Sequence, residues 1–112
     1  MSEFMLLMKG DDSADASPEE MQGRMQGYMA WMQKMTGEGR LVAGQPLEPR
    51  GVRIVDAETV ITDGPFLEPK EIIGGYVIVK AKDLDEAINI AMGCPLLHHC
   101  EIFVRPVFSM PG

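Results

Sequence analysis

Two short segments of this chain are apolar on both sides. In Glu3–Met8 (EFMLLM), Phe4, Leu6 and Met8 fall on one side of an extended strand while Met5 and Leu7 fall on the other. In Tyr76–Lys80 (YVIVK), Tyr76 and Ile78 oppose Val77 and Val79. Side chains alternate along a strand, so neither segment can turn a side to water without exposing apolar surface. Both are therefore expected in the interior of a sheet, side by side, and that sheet must be covered on two faces. A chain of 112 residues is one domain, spanning 1–112, that buries about two thirds of its unfolded surface.

Two stretches can supply helical cover. The first opens at Ser17-Pro18-Glu19-Glu20: Ser17 can cap, Pro18 suits the first helical position, and Glu20 can reach back to the capping amide. Met21, Met25, Tyr28, Met32 and Met35 follow at steps of four and three, which predicts a core-facing stripe on a helix ending near Gly37. Trp31 lies on the flank of that stripe and is a candidate for a rim or interface; Gly23 and Gly27 weaken the helix slightly. The second helix is capped by Asp83 with Glu86 at its third position, points Leu84, Ala87, Ile88 and Ala91 inward, and is stopped by Gly93 and Pro95.

The remaining strands are shorter. Leu41–Gly44 precedes a loop stiffened by Pro46 and Pro49, and Val52–Val55 with Thr59–Thr62 form a hairpin around Asp56-Ala57-Glu58. Glu101–Val107 is the last strand, and Pro106, which cannot donate to a ladder, places it at a sheet edge or ends it there. The order strand, helix, strand, inserted hairpin, strand, helix, strand predicts an α+β chain with the split β-α-β pattern of the ferredoxin-like fold. Both helices of that fold cover one face of an antiparallel sheet. The second face is expected to be covered by a second copy, giving a homodimer.

Between the hairpin and the second two-sided strand runs Thr62-Asp63-Gly64-Pro65-Phe66-Leu67-Glu68-Pro69-Lys70-Glu71, followed by Ile72-Ile73-Gly74-Gly75-Tyr76. Pro65 fixes its own φ and pushes Gly64 away from helical geometry, so the chain must turn here. The alternating charges at Glu68, Lys70 and Glu71 exceed what a connector needs.

This DGPFxExKE…GGY pattern, with Val104-Arg105-Pro106-Val107 near the end, resembles the YCII-related proteins of the DGPF-domain branch over nearly the whole chain. The resemblance implies a dimeric α+β barrel in which two sheets pack face to face. The positions that match its polar signature are Asp63, Glu68, Lys70, Glu71 and Tyr76, with Glu101 and Arg105 from the last strand. Some relatives are thought to use a histidine and an aspartate, and this chain departs from that pattern: its first helix has no histidine, and His98 and His99 stand just before the last strand.

From these residues the chain is expected to be a dimeric small-molecule-binding protein with an acid–base site at the barrel mouth. Asp63 would be general base or orienter, and Arg105 or Lys70 would hold an anionic group, with Phe66, Glu71, Tyr76 and His98 completing the binding set. Against this, Asp63 before Gly64 can simply bond its own turn, and Arg105 can pair with Glu101. The alternative is a non-catalytic regulatory or structural dimer, since DGPF-domain proteins are often encoded beside sigma factors of the extracytoplasmic-function type.

A net charge of −7 with ten scattered cationic residues argues against nucleic acid as a partner. The chain lacks a run of about eighteen apolar residues for a membrane span and shows no secretory signal, so a cytoplasmic protein is expected. Cys94 and Cys100 read as small hydrophobes rather than a disulfide. No cofactor is expected, and no metal: Cys94, His98, His99 and Cys100 lack a second cluster, and Asp11, Asp12 and Asp15 read as a solvated loop rather than a calcium site.

Overall fold

The computed structural model describes residues 1–10, 16–48, 50–63 and 71–109, the side chains of residues 62 and 63 excepted. Strand β1 (Ser2–Lys9) leads to helix α1 (Pro18–Gly37), then β2 (Leu41–Pro46), a hairpin of β3 (Gly51–Asp56) and β4 (Thr59–Asp63), β5 (Ile73–Ala81), helix α2 (Leu84–Met92), a 3-10 turn at Pro95–His98, and β6 (Glu101–Pro106). The main sheet has the order β2-β5-β1-β6 with every pairing antiparallel. This is the ferredoxin-like arrangement, with the hairpin as an insert. The expected adjacency of the two double-sided strands holds, with Leu6 opposite Val77 and Phe4 opposite Val79, and β6 with its Pro106 lies at an edge.

Each central strand keeps one side for the helices. Phe4, Leu6 and Met8 of β1 and Val77, Val79 and Ala81 of β5 are buried with Tyr28, Trp31, Met35, Ala87, Ala91 and Cys94 in one core. Leu6, Val77 and Val79 are inaccessible to solvent, and each such side chain contributes about 1.5–3 kcal/mol of transfer free energy. Alternation sends Met5, Leu7, Tyr76, Ile78, Phe103 and Arg105 to the other side, which neither helix covers.

The helix caps form largely as expected. The Ser17 hydroxyl accepts from the Glu20 amide at 3.1 Å, and the Asp83 carboxylate accepts from the Glu86 amide at 2.9 Å. Glu86 itself departs from the capping pattern, accepting from the Lys82 amide at 3.2 Å and from Arg40 at 2.7 Å.

Two helix faces are corrected. Along α1 the buried residues are Tyr28, Trp31 and Met35, whereas Met21 and Met25 are 41% and 49% exposed. Trp31 is thus a core residue, not a rim, because the helix is turned by roughly 50° from the methionine stripe. In that orientation α1 packs on the 3-10 turn, where a β-carbon on Gly27 would lie in ordinary van der Waals contact with the Pro95 ring at 3.7 Å. Along α2 it is Ala87 and Ala91 that are buried, while Leu84 and Ile88 are 43% and 40% exposed. Small residues let this helix sit close to the sheet and tilt the larger ones outward.

The β3–β4 hairpin is a separate two-stranded sheet. Its turn is held by the Asp56 carboxylate accepting from the Glu58 amide at 2.8 Å, and Val52, Ile54, Val55 and Val60 are all more than half exposed. The Asp11–Asp15 loop and the Gly64–Pro65 turn lie outside the described residues. Among those described, no helix is long and apolar enough to cross a membrane.

Candidate functional site

Three chain segments meet at Gly74-Gly75. The β1–β5 register slips here, with Met8 opposite Gly75 but Lys9 opposite Ile73. Gly10 follows at φ +117° and donates its amide to the Ile72 carbonyl at 2.7 Å. From the other side, the Leu47 amide donates to the Gly74 carbonyl at 2.8 Å. The β2 strand approaches so closely that a β-carbon on Gly75 would stand 2.9 Å from the Gln45 carbonyl oxygen. A side chain at 75 would force backbone to shift, so the second glycine of the pair before Tyr76 has a structural cause.

The first half of α1 overhangs this end of the sheet and leaves a cavity of about 270 Å³. Met8 and Gly75 line it from the sheet, Ile72 from just before β5, Met21, Met25, Arg24 and Tyr28 from the helix, and Leu96, His99 and Cys100 from the segment after α2. The space equals about nine water volumes at 30 Å³ each, enough for one substituted ring. The half-exposed Met21 and Met25 thus edge a concave site rather than complete the core.

The polar groups are few. Arg24 and Tyr28, one helical turn apart, project on the same side of α1. Burial, with the nearby Cys94 adding to it, raises the Tyr28 phenol above its ordinary value, so it stays protonated. Burial likewise pushes the Cys94 thiol up. The two cysteines are thiols rather than a disulfide, as expected; Cys94 is buried, and the Cys100 Sγ, at the cavity wall, donates to the Leu96 carbonyl at 3.2 Å.

None of the expected site residues whose side chains are described lines this cavity. Asp63 ends β4 opposite Gly51, and its side chain lies outside the described residues, as do Phe66, Glu68 and Lys70. Glu71 is exposed just before β5, and His98 is exposed while its neighbour His99 lines the cavity. Tyr76 and Arg105 stand on the helix-free side of the sheet, opposite Leu7 and Met5 respectively. Arg105 and the cavity are on different faces. The residues brought together are Arg24, Tyr28, His99 and Cys100. The sequence reading placed Tyr28 in the core and passed over Arg24, although their four-residue spacing on the first helix was the available signal. Among the described residues no group of three His, Cys, Asp or Glu could hold a metal ion.

A family model for the YCII-related domain matches residues 2–111. An uncharacterised protein of Rhizobium meliloti (strain 1021) is 31% identical over 94 residues, covering 79% of this chain and 76% of that protein. Among solved structures, 5-chloro-2-hydroxyhydroquinone dehydrochlorinase from Burkholderia phenoliruptrix, in complex with 2,5-dihydroxybenzoquinone, superposes with a TM-score of 0.52 at 16% identity, covering 96% of this chain and 95% of that one. At that identity the likeness is one of fold.

Proposed function

The chain belongs to the YCII-related family, and we propose that within it this protein is a dimeric small-molecule-binding protein whose ligand sits under the first half of α1. The observation that carries the reading is the cavity itself: about 270 Å³, mostly apolar, with Arg24, Tyr28 and His99 at its wall. A concave apolar space with a few convergent polar groups is the usual form of a small-molecule site. The methionines at its edge suit a planar ligand, since thioether sulfur packs favourably against rings. That a protein of the same fold holds a dihydroxybenzoquinone agrees in scale. A phenol and an imidazole at the wall of one cavity also offer acid–base chemistry to a bound molecule. Asp63, Phe66 and Lys70 belong to the same reading, because their segment runs directly into Ile72 of the cavity wall.

The test is ligand-observed NMR with a set of neutral and charged monocyclic fragments against the wild-type chain and Met25→Trp, which fills the space from the helix side. Binding by some fragments that Met25→Trp abolishes is the expected result. Absence of binding across the set, or binding indifferent to Met25→Trp, would overturn the reading.

A further inference from the structure

The Tyr28 side chain lines the cavity while being only 5% exposed. Its ring packs on Trp31 at 6.5 Å between centroids, yet among the described residues its hydroxyl has no hydrogen-bond partner. A buried hydroxyl without a partner is costly, and the side chain that carries it lines the cavity. The absent bond is therefore one that an occupant of the cavity can make.

The other polar groups indicate what that occupant carries. Arg24 lies one turn from Tyr28 on the same side of α1, and His99 faces the same space from the segment following the 3-10 turn. Both already engage protein neighbours, but a guanidinium has five donors and pairs readily with a carboxylate while keeping a second contact. Elsewhere the walls are methionine, isoleucine, leucine, proline, glycine and Cys100, which favour an apolar ring over a sugar or a peptide. In a chain of net charge −7, a cationic group at the wall of an apolar cavity is the feature that would select an anion.

Resting on the cavity reading above, we propose that the ligand is a monocyclic carboxylic acid bearing a second oxygen on its ring, its carboxylate held by Arg24 and its ring oxygen by the Tyr28 hydroxyl. The second oxygen is a hydroxyl or a carbonyl, because a phenol both donates and accepts. Tyr28 stays protonated across the physiological range, its ionisation held back by burial, so it serves an anionic ligand as a donor.

Calorimetry with benzoate, 4-hydroxybenzoate and 4-hydroxybenzamide tests this on the wild-type chain, Tyr28→Phe and Arg24→Gln. The wild type is expected to prefer 4-hydroxybenzoate to its amide by about tenfold or more, the scale of a charge-assisted pair. Arg24→Gln should erase that preference. Tyr28→Phe should bring 4-hydroxybenzoate down to the affinity of benzoate, a loss of about threefold to tenfold, and leave benzoate unchanged. Equal binding of acid and amide would refute the carboxylate assignment, and a hydroxyl preference that survives Tyr28→Phe would refute the Tyr28 assignment, each leaving the cavity reading intact. If no ring compound binds at all, neutral ones included, both fall.

Discussion

Gly75 and the Gln45 carbonyl face each other so closely across β5 and β2 that a β-carbon on Gly75 would stand 2.9 Å from that oxygen, with Pro46 Cα at 3.2 Å. Both obstacles are backbone and cannot rotate aside. Gly75→Ala is therefore expected to push β2 off β5 and to cost about 1–3 kcal/mol, the usual scale of overpacking. Gly23, exposed within α1 with nothing within 4 Å of its would-be β-carbon, is the control: Gly23→Ala should stabilise by up to about 1 kcal/mol, as alanine does in a helix interior. Urea unfolding of the two variants measures both. Equal effects of like sign would show that the close approach at Gly75 is not what demands glycine.

Trp31 gives the second prediction. It is 6% exposed and shares the core with Tyr28 and Met35, so Trp31→Ala should cost about 3–5 kcal/mol, as large-to-small core substitutions of aromatics do. A residue at a solvated rim would lose far less. A change below about 1 kcal/mol by denaturant unfolding would return Trp31 to the surface role its sequence position first suggested.

That contrast shows where the sequence was legible. The sheet could be read because residues with two-sided apolar character, Phe4–Met8 and Tyr76–Val79, have few places to go, and the caps at Ser17 and Asp83 mark helix starts locally. The rotation of α1 could not be read: Met21, Met25 and Met32 make as good a stripe as Tyr28, Trp31 and Met35, and the choice falls to tertiary packing between segments far apart in sequence, such as that of α1 on the 3-10 turn, where Gly27 meets Pro95 from 68 positions away. The cavity was hidden for the same reason. Its Arg24, Tyr28 and His99 come from segments whose meeting depends on that rotation, whereas the charged signature drew attention to Asp63, Lys70 and Arg105. Of these, Arg105 stands on the other side of the sheet from the cavity.

The helix-free side carries the third prediction. Met5, Leu7, Tyr76 and Ile78 are half-buried there, and Phe103 is 42% exposed with the Lys9 ammonium 5.7 Å from its ring centroid. Leu7 lies at the centre, opposite both Tyr76 and Phe103. If this is the homodimer interface, wild type should scatter light as twice the chain mass at micromolar concentration, and Leu7→Glu, which would place two carboxylates in a closed apolar interface, should give a folded monomer. Wild type running as a monomer would end the dimer reading.

The last prediction concerns acid. Arg40, just before β2, donates from Nη1 to the Glu86 carboxylate at 2.7 Å and to the Lys80 carbonyl at 3.3 Å, while Glu86 also accepts from the Lys82 amide. One ion pair thus ties the entry of β2 and the end of β5 to the first turn of α2. The Arg40 hydrogen bond, followed by the Lys82 amide, holds the Glu86 carboxyl below its ordinary value of 4.5. A group whose pKa is depressed by folding adds stability above its unfolded pKa, and that stability is lost as pH falls through the folded value. Glu86→Gln should therefore melt below wild type at pH 7, and the gap should narrow once the pH drops under about 4.5. Asp56, held down mainly by the Glu58 amide, adds to the acid sensitivity of both proteins alike and so cancels in the comparison. A gap of constant size from pH 7 to pH 3 would mean that the Glu86 charge contributes nothing and that only its shape matters.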